Sequence, residues 1–420
     1  MTILWITNLL LPEAYHILTK QDRKGSGGWL EASANEIVHV GDISLHIATA
    51  STLVKQIVEF KGATNIHYYV FPFVQNYNPV PYEPFMHRIM EEVAPDVVHI
   101  HGTEYPYGLA YINVAGPERV IVSMQGVMGR IAEHYTDGLG KWQILRHITL
   151  RDLRLKTILG EKKEYQKRAI VEKETIAKTK YIIGRTSFDK DYVMSVNSSC
   201  EYLTANESLR DSFYNQQWTY NNCSPHTIFL SQSNYPVKGL HQFLKAVPLI
   251  RTKYPDVKVR IAGEDITRHK TKDEIIKYSG YGSIIYHLIN KLGLEDCFAF
   301  TGLLSEREMA QEYLKSNVFV CPSTCENSSN SIAEAQILGV PCIASDRGGN
   351  PDMIPDSRYG CLFEFNDTEA LADCVCRAFE TASFYDNSEV RKMAKVRHNR
   401  ATNLERTLSI YNLICKNNEI

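Results

Sequence analysis

The chain has 420 residues, 44% of them apolar and 22% charged, with a formal net charge of −2. This is a globular composition with room for two sizeable cores, and its near-neutral balance excludes a chain-wide binder of polyanions. No uninterrupted apolar run approaches the roughly 20 residues of a membrane-spanning helix, and the opening stretch, Thr2–Asn8, lacks the basic leader of a secretory signal.

Short apolar runs alternate with longer helical patterns, the signature of parallel α/β units. In the first half, strands are expected at Thr2–Thr7, Ser44–Ala50, His67–Val70, Val97–His101, Val120–Met124 and Tyr181–Ile183. After the first of these, KGSGGWL (Lys24–Leu30) sets Gly27-Gly28 ahead of a helix, where backbone could approach a bound anion or simply turn tightly. The glycines are not spaced as in a dinucleotide fingerprint, so NAD is not indicated. Two other strand ends carry polar candidates: His99 and His101 in DVVHIHGTE, and Gln125 in SMQG.

Between Lys141 and Lys180, twelve basic residues stand against five acids, accompanied by apolar residues such as Leu145, Leu150 and Leu153. Either this is a solvated helix pair, or it is a surface that meets anionic lipid headgroups or an anionic acceptor. Nucleic acid fits less well, since the segment has few aromatics and no binding motif. Asp189-Lys190-Asp191 follows GRTSF at a helix start and is read as capping, not as a metal site.

Asn215–Pro225, polar and turn-rich, is the expected linker. Beyond it, strands are expected at Thr227–Leu230, Val257–Ala262, Phe298–Thr301, Val318–Cys321, Pro341–Ala344 and Gly360–Phe363. Two sets of about six strands imply two doubly wound α/β domains, 1–214 and 224–395, followed by an amphipathic helix within 396–420. The ten cysteines fall between Cys200 and Cys415, and Cys321, Cys342 and Cys361 sit in strand-like contexts that suit reduced core thiols. A zinc site is not expected. A cytoplasmic setting follows from these readings.

The densest chemistry lies in PSTCENSSNSIAEAQILGVP (Pro322–Pro341). Glu326 stands just past a strand end, where ligands of parallel sheets bind. Asn327, Ser328, Ser329 and Asn330 are capping residue types, so a helix starts among them and runs to Gly339. Its N-terminal amides would seat a phosphate, while two carboxylates, Glu326 and Glu334, would repel one and instead suit vicinal hydroxyls. Hydroxyls, a diphosphate and further hydroxyls on one molecule describe a nucleotide sugar. Lys238-Gly239 in LSQSNYPVKGL (Leu230–Leu240) would supply a cation at the first strand end of the second half.

With RIAGED (Gly263) and FTGLL (Gly302, Leu303), these motifs resemble the retaining nucleotide-sugar glycosyltransferases of family four, whose mark is two glutamates separated by seven residues. The resemblance implies two Rossmann-like domains facing across a cleft (the GT-B architecture), with the C-terminal helix returning to the first. It implies that Glu326 contacts the donor sugar, Glu334 the ribose, and Lys238 with the Asn327–Ser329 amides the diphosphate. Gly302-Leu303 would lie near the base, with Gly27-Gly28 approaching from the first domain. The donor would be UDP- or GDP-linked and no metal or other cofactor would be needed. The acceptor would be a hydroxyl of a glycan or lipid-linked sugar, as in surface polysaccharide assembly, with membrane contact through 141–180. Two positions depart from the family: Ser233 stands where an arginine is common, leaving Arg185 or Arg347 as substitutes, and Gln125 stands where a histidine is common. His101 or His99 could serve there on the acceptor side. A nucleotide-sugar epimerase or hydrolase of the same architecture, or a degenerate nucleotide-sugar-binding scaffold, are the alternatives.

Overall fold

The computed structural model describes residues 1–22 and 28–418, so Gly27 lies outside the described residues. The chain divides into two units. One comprises Met1–Gly129, Gln166–Arg210 and His398–Ile420; the other comprises Arg130–Tyr165 and Asp211–Arg397.

The first unit is built on eight strands: β1 (Thr2–Thr7), β2 (Ser44–Ser51), β3 (Val58–Lys61), β4 (His67–Pro72), β5 (Val97–His101), β6 (Val120–Ser123), β7 (Tyr181–Gly184) and β8 (Glu201–Thr204). Their order is β3-β4-β2-β1-β5-β6-β7-β8. Every pairing is parallel except the edge pair β3–β4. Central strands such as β5 and β6 are buried along their whole length, which is why they read as continuous apolar runs. The edge strands β3 and β8 are partly exposed and polar, and neither is among the strands expected from the sequence. One core layer gathers Trp5, Leu30, Ile47 and Tyr68 with Tyr411; the opposite layer gathers Ile6, Phe71, Met86 and Tyr107.

The second unit carries six parallel strands: β9 (Thr227–Leu230), β10 (Lys258–Ile261), β11 (Phe298–Phe300), β12 (Val318–Cys321), β13 (Cys342–Ser345) and β14 (Cys361–Phe363). Their order is β11-β10-β9-β12-β13-β14. The order reverses direction between β9 and β12, the topological switch point where α/β sheets bind ligands.

Three expectations need correction. Residues 130–165 belong with the second sheet, not the first. Asp137 O bonds His241 Nε2 at 2.8 Å, His147 Nδ1 meets Ser283 Oγ at 2.8 Å, and Thr149 Oγ1 donates to Tyr278 O at 2.7 Å. The expected linker is also integrated: Trp218 is buried, and its indole N–H donates to Ser316 O at 2.8 Å. Finally, Cys361 is bonded to Cys374, whereas Cys321 and Cys342 are free and buried. Among the described residues, no helix is long and apolar enough to cross a membrane.

Candidate functional site

At the switch point, the loops after β9 and β12 are tied together. Beyond β9 the chain makes a short 3-10 turn, Pro236–Lys238, and closes it at Gly239 with φ +71. A side chain at Gly239 would collide with the carbonyl of Pro322, the residue after β12, so only glycine combines this turn with this approach. The Thr324 amide donates to Val237 O at 2.8 Å. Across this seam, Lys238 Nζ lies 2.7 Å from Glu326 Oε1, and the same oxygen accepts from Ser323 Oγ at 2.7 Å. Both side chains of the ion pair are largely withdrawn from solvent. Burial opposes the Lys238 charge, but the Glu326 carboxylate outweighs it and holds the ammonium above its usual range. The neighbouring Cys321 thiol is pushed up to about 11 by burial and stays neutral.

The backbone of Glu326 is fixed from its other side. Gly348, φ +65, follows β13, and any side chain there would strike the Glu326 carbonyl. The Gly349 amide donates to that carbonyl at 2.9 Å, and Ser345 Oγ donates to Ser323 O at 2.6 Å. Three strand-end loops therefore converge on one residue. Ser323, Ser345 and Gly348 receive no site role from the sequence, because their roles depend on loops that only the sheet brings together.

Ser329 caps the helix Asn330–Leu338, accepting from the Ile332 amide at 3.4 Å. The helix is moored by Ser231 Oγ, which donates to Ser331 Oγ at 2.8 Å. Asn327 and Ser329 are buried, as is Glu334 within the helix, while Ser328 is half-buried with its hydroxyl 3.7 Å from Met353 Sδ. An anion seated here would meet helix-terminal amides and an ammonium. Ser233 is buried in the loop after β9. Arg347 rests over the Phe365 ring at 5.1 Å, with its guanidinium 3.8 Å from Asp346.

Gly263 and Gly302, beyond β10 and β11, pair through reciprocal hydrogen bonds of 3.0 and 3.1 Å. Both have positive φ, and Leu303 beside them is exposed. A cavity at these strand ends is lined by Glu264, Asp265, Tyr278, Phe300 and Gly302.

Gly28, Gln125, His99, His101 and Arg185 belong to the first unit. Gly28 opens the helix Gly28–Val38. Trp5 Nε1–H donates to the Tyr411 hydroxyl at 3.1 Å, leaving that hydroxyl's proton for His99 Nδ1 at 2.6 Å; the His99 Nε2–H then faces Ser123 Oγ at 2.5 Å. Burial lowers His99 to about 3, so it is a neutral structural relay. His101 is buried against Trp5 and stacks on His99 at 3.8 Å; burial and that neighbour keep it well below its ordinary range. It lines a cavity with Trp29 and Arg185. Arg185 is committed to Glu207 at 2.5 Å, and Gln125 Nε2 donates to the same carboxylate at 3.2 Å. Asp189 closes a capping box with Thr186 and also accepts from Tyr202 OH, in keeping with its reading as a cap. Among the described residues, no group of three His, Cys, Asp or Glu side chains is placed to hold a metal ion.

Residues 224–381 match the family described as "Glycosyl transferases group 1". Sulfoquinovosyl transferase SQD2 of Arabidopsis thaliana is 40% identical over 81 residues, covering 19% of this chain and 15% of that protein. The first curated relatives matched are covered over only 15% to 35% of their own length. Solved structures align along nearly the whole chain. Sucrose-phosphate synthase from Thermosynechococcus elongatus superposes with a TM-score of 0.69 at 14% identity, covering 98% of both chains. Anabaena HepE in complex with UDP superposes with a TM-score of 0.63 at 13% identity, covering 98% of this chain and 100% of that one. At such identities the likeness is one of fold, the GT-B architecture.

Proposed function

We propose that this chain, a group 1 glycosyl transferase over residues 224–381 with a GT-B fold, moves a sugar from a nucleotide-diphosphate sugar to a hydroxyl of a glycan or lipid-linked acceptor. The observation that carries this reading is the half-buried Lys238–Glu326 pair beyond the ends of adjacent strands β9 and β12, beside the helix N-terminus at Ser329. In this reading the donor is UDP- or GDP-linked. Its diphosphate lies on Lys238 and the Asn327–Ser329 amides, with Ser233 and Asn330 close by. Its sugar hydroxyls meet Glu326, its ribose meets Glu334, and its base lies beside Gly263, Gly302 and Leu303. Gln125 and His101 are assigned to the acceptor side, and Gly27-Gly28 to the phosphates.

The chemistry is a displacement at the anomeric carbon. The carbon–oxygen bond to the phosphate breaks and its electron pair leaves with the nucleotide; the acceptor oxygen bonds to that carbon and gives its proton to the departing phosphate. Lys238 and the helix amides would stabilise charge that grows on the leaving group, so they act on the transition state more than on the bound donor. Attack and departure on one face would retain configuration, and no step calls on a metal ion. The setting would be cytoplasmic surface-polysaccharide assembly.

The test is turnover with UDP- and GDP-sugars, with and without acceptor. Glu326→Gln is expected to abolish transfer while the melting temperature and the thermal shift given by the free nucleoside diphosphate persist. Unchanged turnover would remove Glu326 from the site, and sugar release or isomerisation without acceptor would point to hydrolysis or epimerisation.

A further inference from the structure

Of the basic segment read from the sequence, 141–180, the part up to 165 belongs to the second unit and takes a specific form there, while the rest belongs to the first. Two short helices, Lys141–Arg146 and Leu150–Arg154, are pinned by their inward residues. Ile144 is buried. The Thr149 hydroxyl reaches Tyr278 O at 2.7 Å, and the Asp152 carboxylate accepts from the Gly280 amide at 3.2 Å. The second of these helices packs beside a third, Lys272–Lys277, from a distant stretch of the chain.

With the inward positions fixed, the apolar residues between them face solvent. Trp142 is 79% exposed, Leu150 67%, Leu153 72% and Leu155 67%, and the adjoining helix adds Ile275 at 41% and Ile276 at 57%. Among the described residues, half of the exposed large apolar side chains come from 142–159 and 275–276. A soluble surface does not gather them this way without a partner.

Charge selects the partner. Between 141 and 164, seven Lys and Arg residues stand against three acids: Asp152 accepts from the Gly280 amide and lies 3.5 Å from Arg151, Glu161 accepts from Tyr135 OH at 2.8 Å, and Glu164 pairs with Lys156 at 3.4 Å, so positive charge still predominates. The neighbouring helix carries Lys272 and Lys277 at its ends and Lys270 just before it, with Asp273 and Glu274 in its first turn, where Glu274 accepts from the Lys270 and Thr271 amides. Apolar tips ringed by ammonium and guanidinium groups match the headgroup boundary of an anionic bilayer. A polyanionic glycan would match the charge and leave the leucines, isoleucines and Trp142 unused. We infer that this two-segment face of the second unit docks on membranes carrying anionic lipids. The inference does not depend on the sugar-transfer reading, since vesicle binding is measured without turnover.

The full chain is sedimented with vesicles of phosphatidylcholine alone or mixed with phosphatidylglycerol. Binding to the mixed vesicles is expected to exceed binding to the neutral ones by about tenfold or more and to fall in high salt, with a blue shift of Trp142 emission that a Trp142→Phe variant lacks. Leu153→Ser with Leu155→Ser, and separately Ile275→Ser with Ile276→Ser, should each weaken binding about fivefold or more at an unchanged melting temperature. Equal binding to both vesicle types, no binding to either, or serine variants that bind like the parent would overturn the inference. So would self-association that the same substitutions abolish while vesicles are ignored.

Discussion

The strand ends of the two sheets are put to different uses. In the first unit most of the polar groups there satisfy one another: His99 is spanned by Tyr411 and Ser123, Arg185 is paired with Glu207, and Asp189 caps its own helix, while both ring nitrogens of His101 are buried without a hydrogen-bond partner among the described residues. In the second, three loops converge on a carboxylate and an ammonium that share one contact beside a helix N-terminus. A paired charge at the edge of such a loop cluster can exchange partners with a ligand, whereas a relay buried between a sheet and a helix holds the core together. Polar residues at strand ends are therefore not equivalent evidence of a site, and substitutions in the two regions should separate into losses of activity and losses of stability.

The largest effect is expected at Lys238. Lys238→Met keeps the length of the side chain and removes its charge, and should lower kcat by about 10²–10³, the cost of deleting one preorganised group at a developing anion. A variant that turns over normally would show that the strand-end pair is structural, like those of the first unit. Gly239→Ala attacks the same site through the backbone. It forces a side chain into φ +71 and against Pro322 O, so it should cost about 2–3 kcal/mol and weaken the nucleoside diphosphate's thermal shift, because the turn that aims Lys238 must move.

How much of this was legible beforehand follows the range of the interactions. Glu326, the capping run and Glu334 lie within nine residues and declare themselves by local helix and strand logic. The Lys238–Glu326 contact joins positions 88 apart, and sequence offered each residue but not their pairing. Buried strands such as β5, β6 and β12 are continuous apolar runs and were found; β3 and β8 are half-exposed edges without that signal. Residues 130–165 were assigned to the wrong sheet because adjacency along the chain was the only guide, whereas the deciding bonds run to His241, Tyr278 and Ser283. Trp218 sits in a stretch polar enough to read as a linker, yet one indole fills a core position there.

A pH effect should arise from the first unit. Glu172 is fully buried and accepts from the Met128 and Gly129 amides at 2.9 and 3.0 Å and from the Thr103 hydroxyl at 3.1 Å. Burial outweighs these bonds and raises the carboxyl to about 7. A folded value above the unfolded one means that the native state binds the extra proton, so stability declines as pH rises from about 4.5 to about 7. The decline should be on the order of 3 kcal/mol, read from denaturant unfolding across that window. Glu172→Gln should flatten it; a wild-type curve with no slope there would show that the carboxyl ionises freely.

The smallest effect is expected at Tyr411, and it tests the comparison from the stability side. Its hydroxyl accepts from Trp5 and donates to His99, so Tyr411→Phe leaves two buried ring nitrogens short of a partner with almost no change in shape. Leaving such groups unpaired should cost about 1–2 kcal/mol, measured as a lower denaturant midpoint. Because every member of this relay belongs to the first unit and the loop cluster to the second, the thermal shift produced by UDP or GDP should be the same in the variant and the parent. A variant that keeps its stability but loses nucleotide binding would reverse the roles assigned to the two sheets, since the relay would then be serving the ligand and not the core.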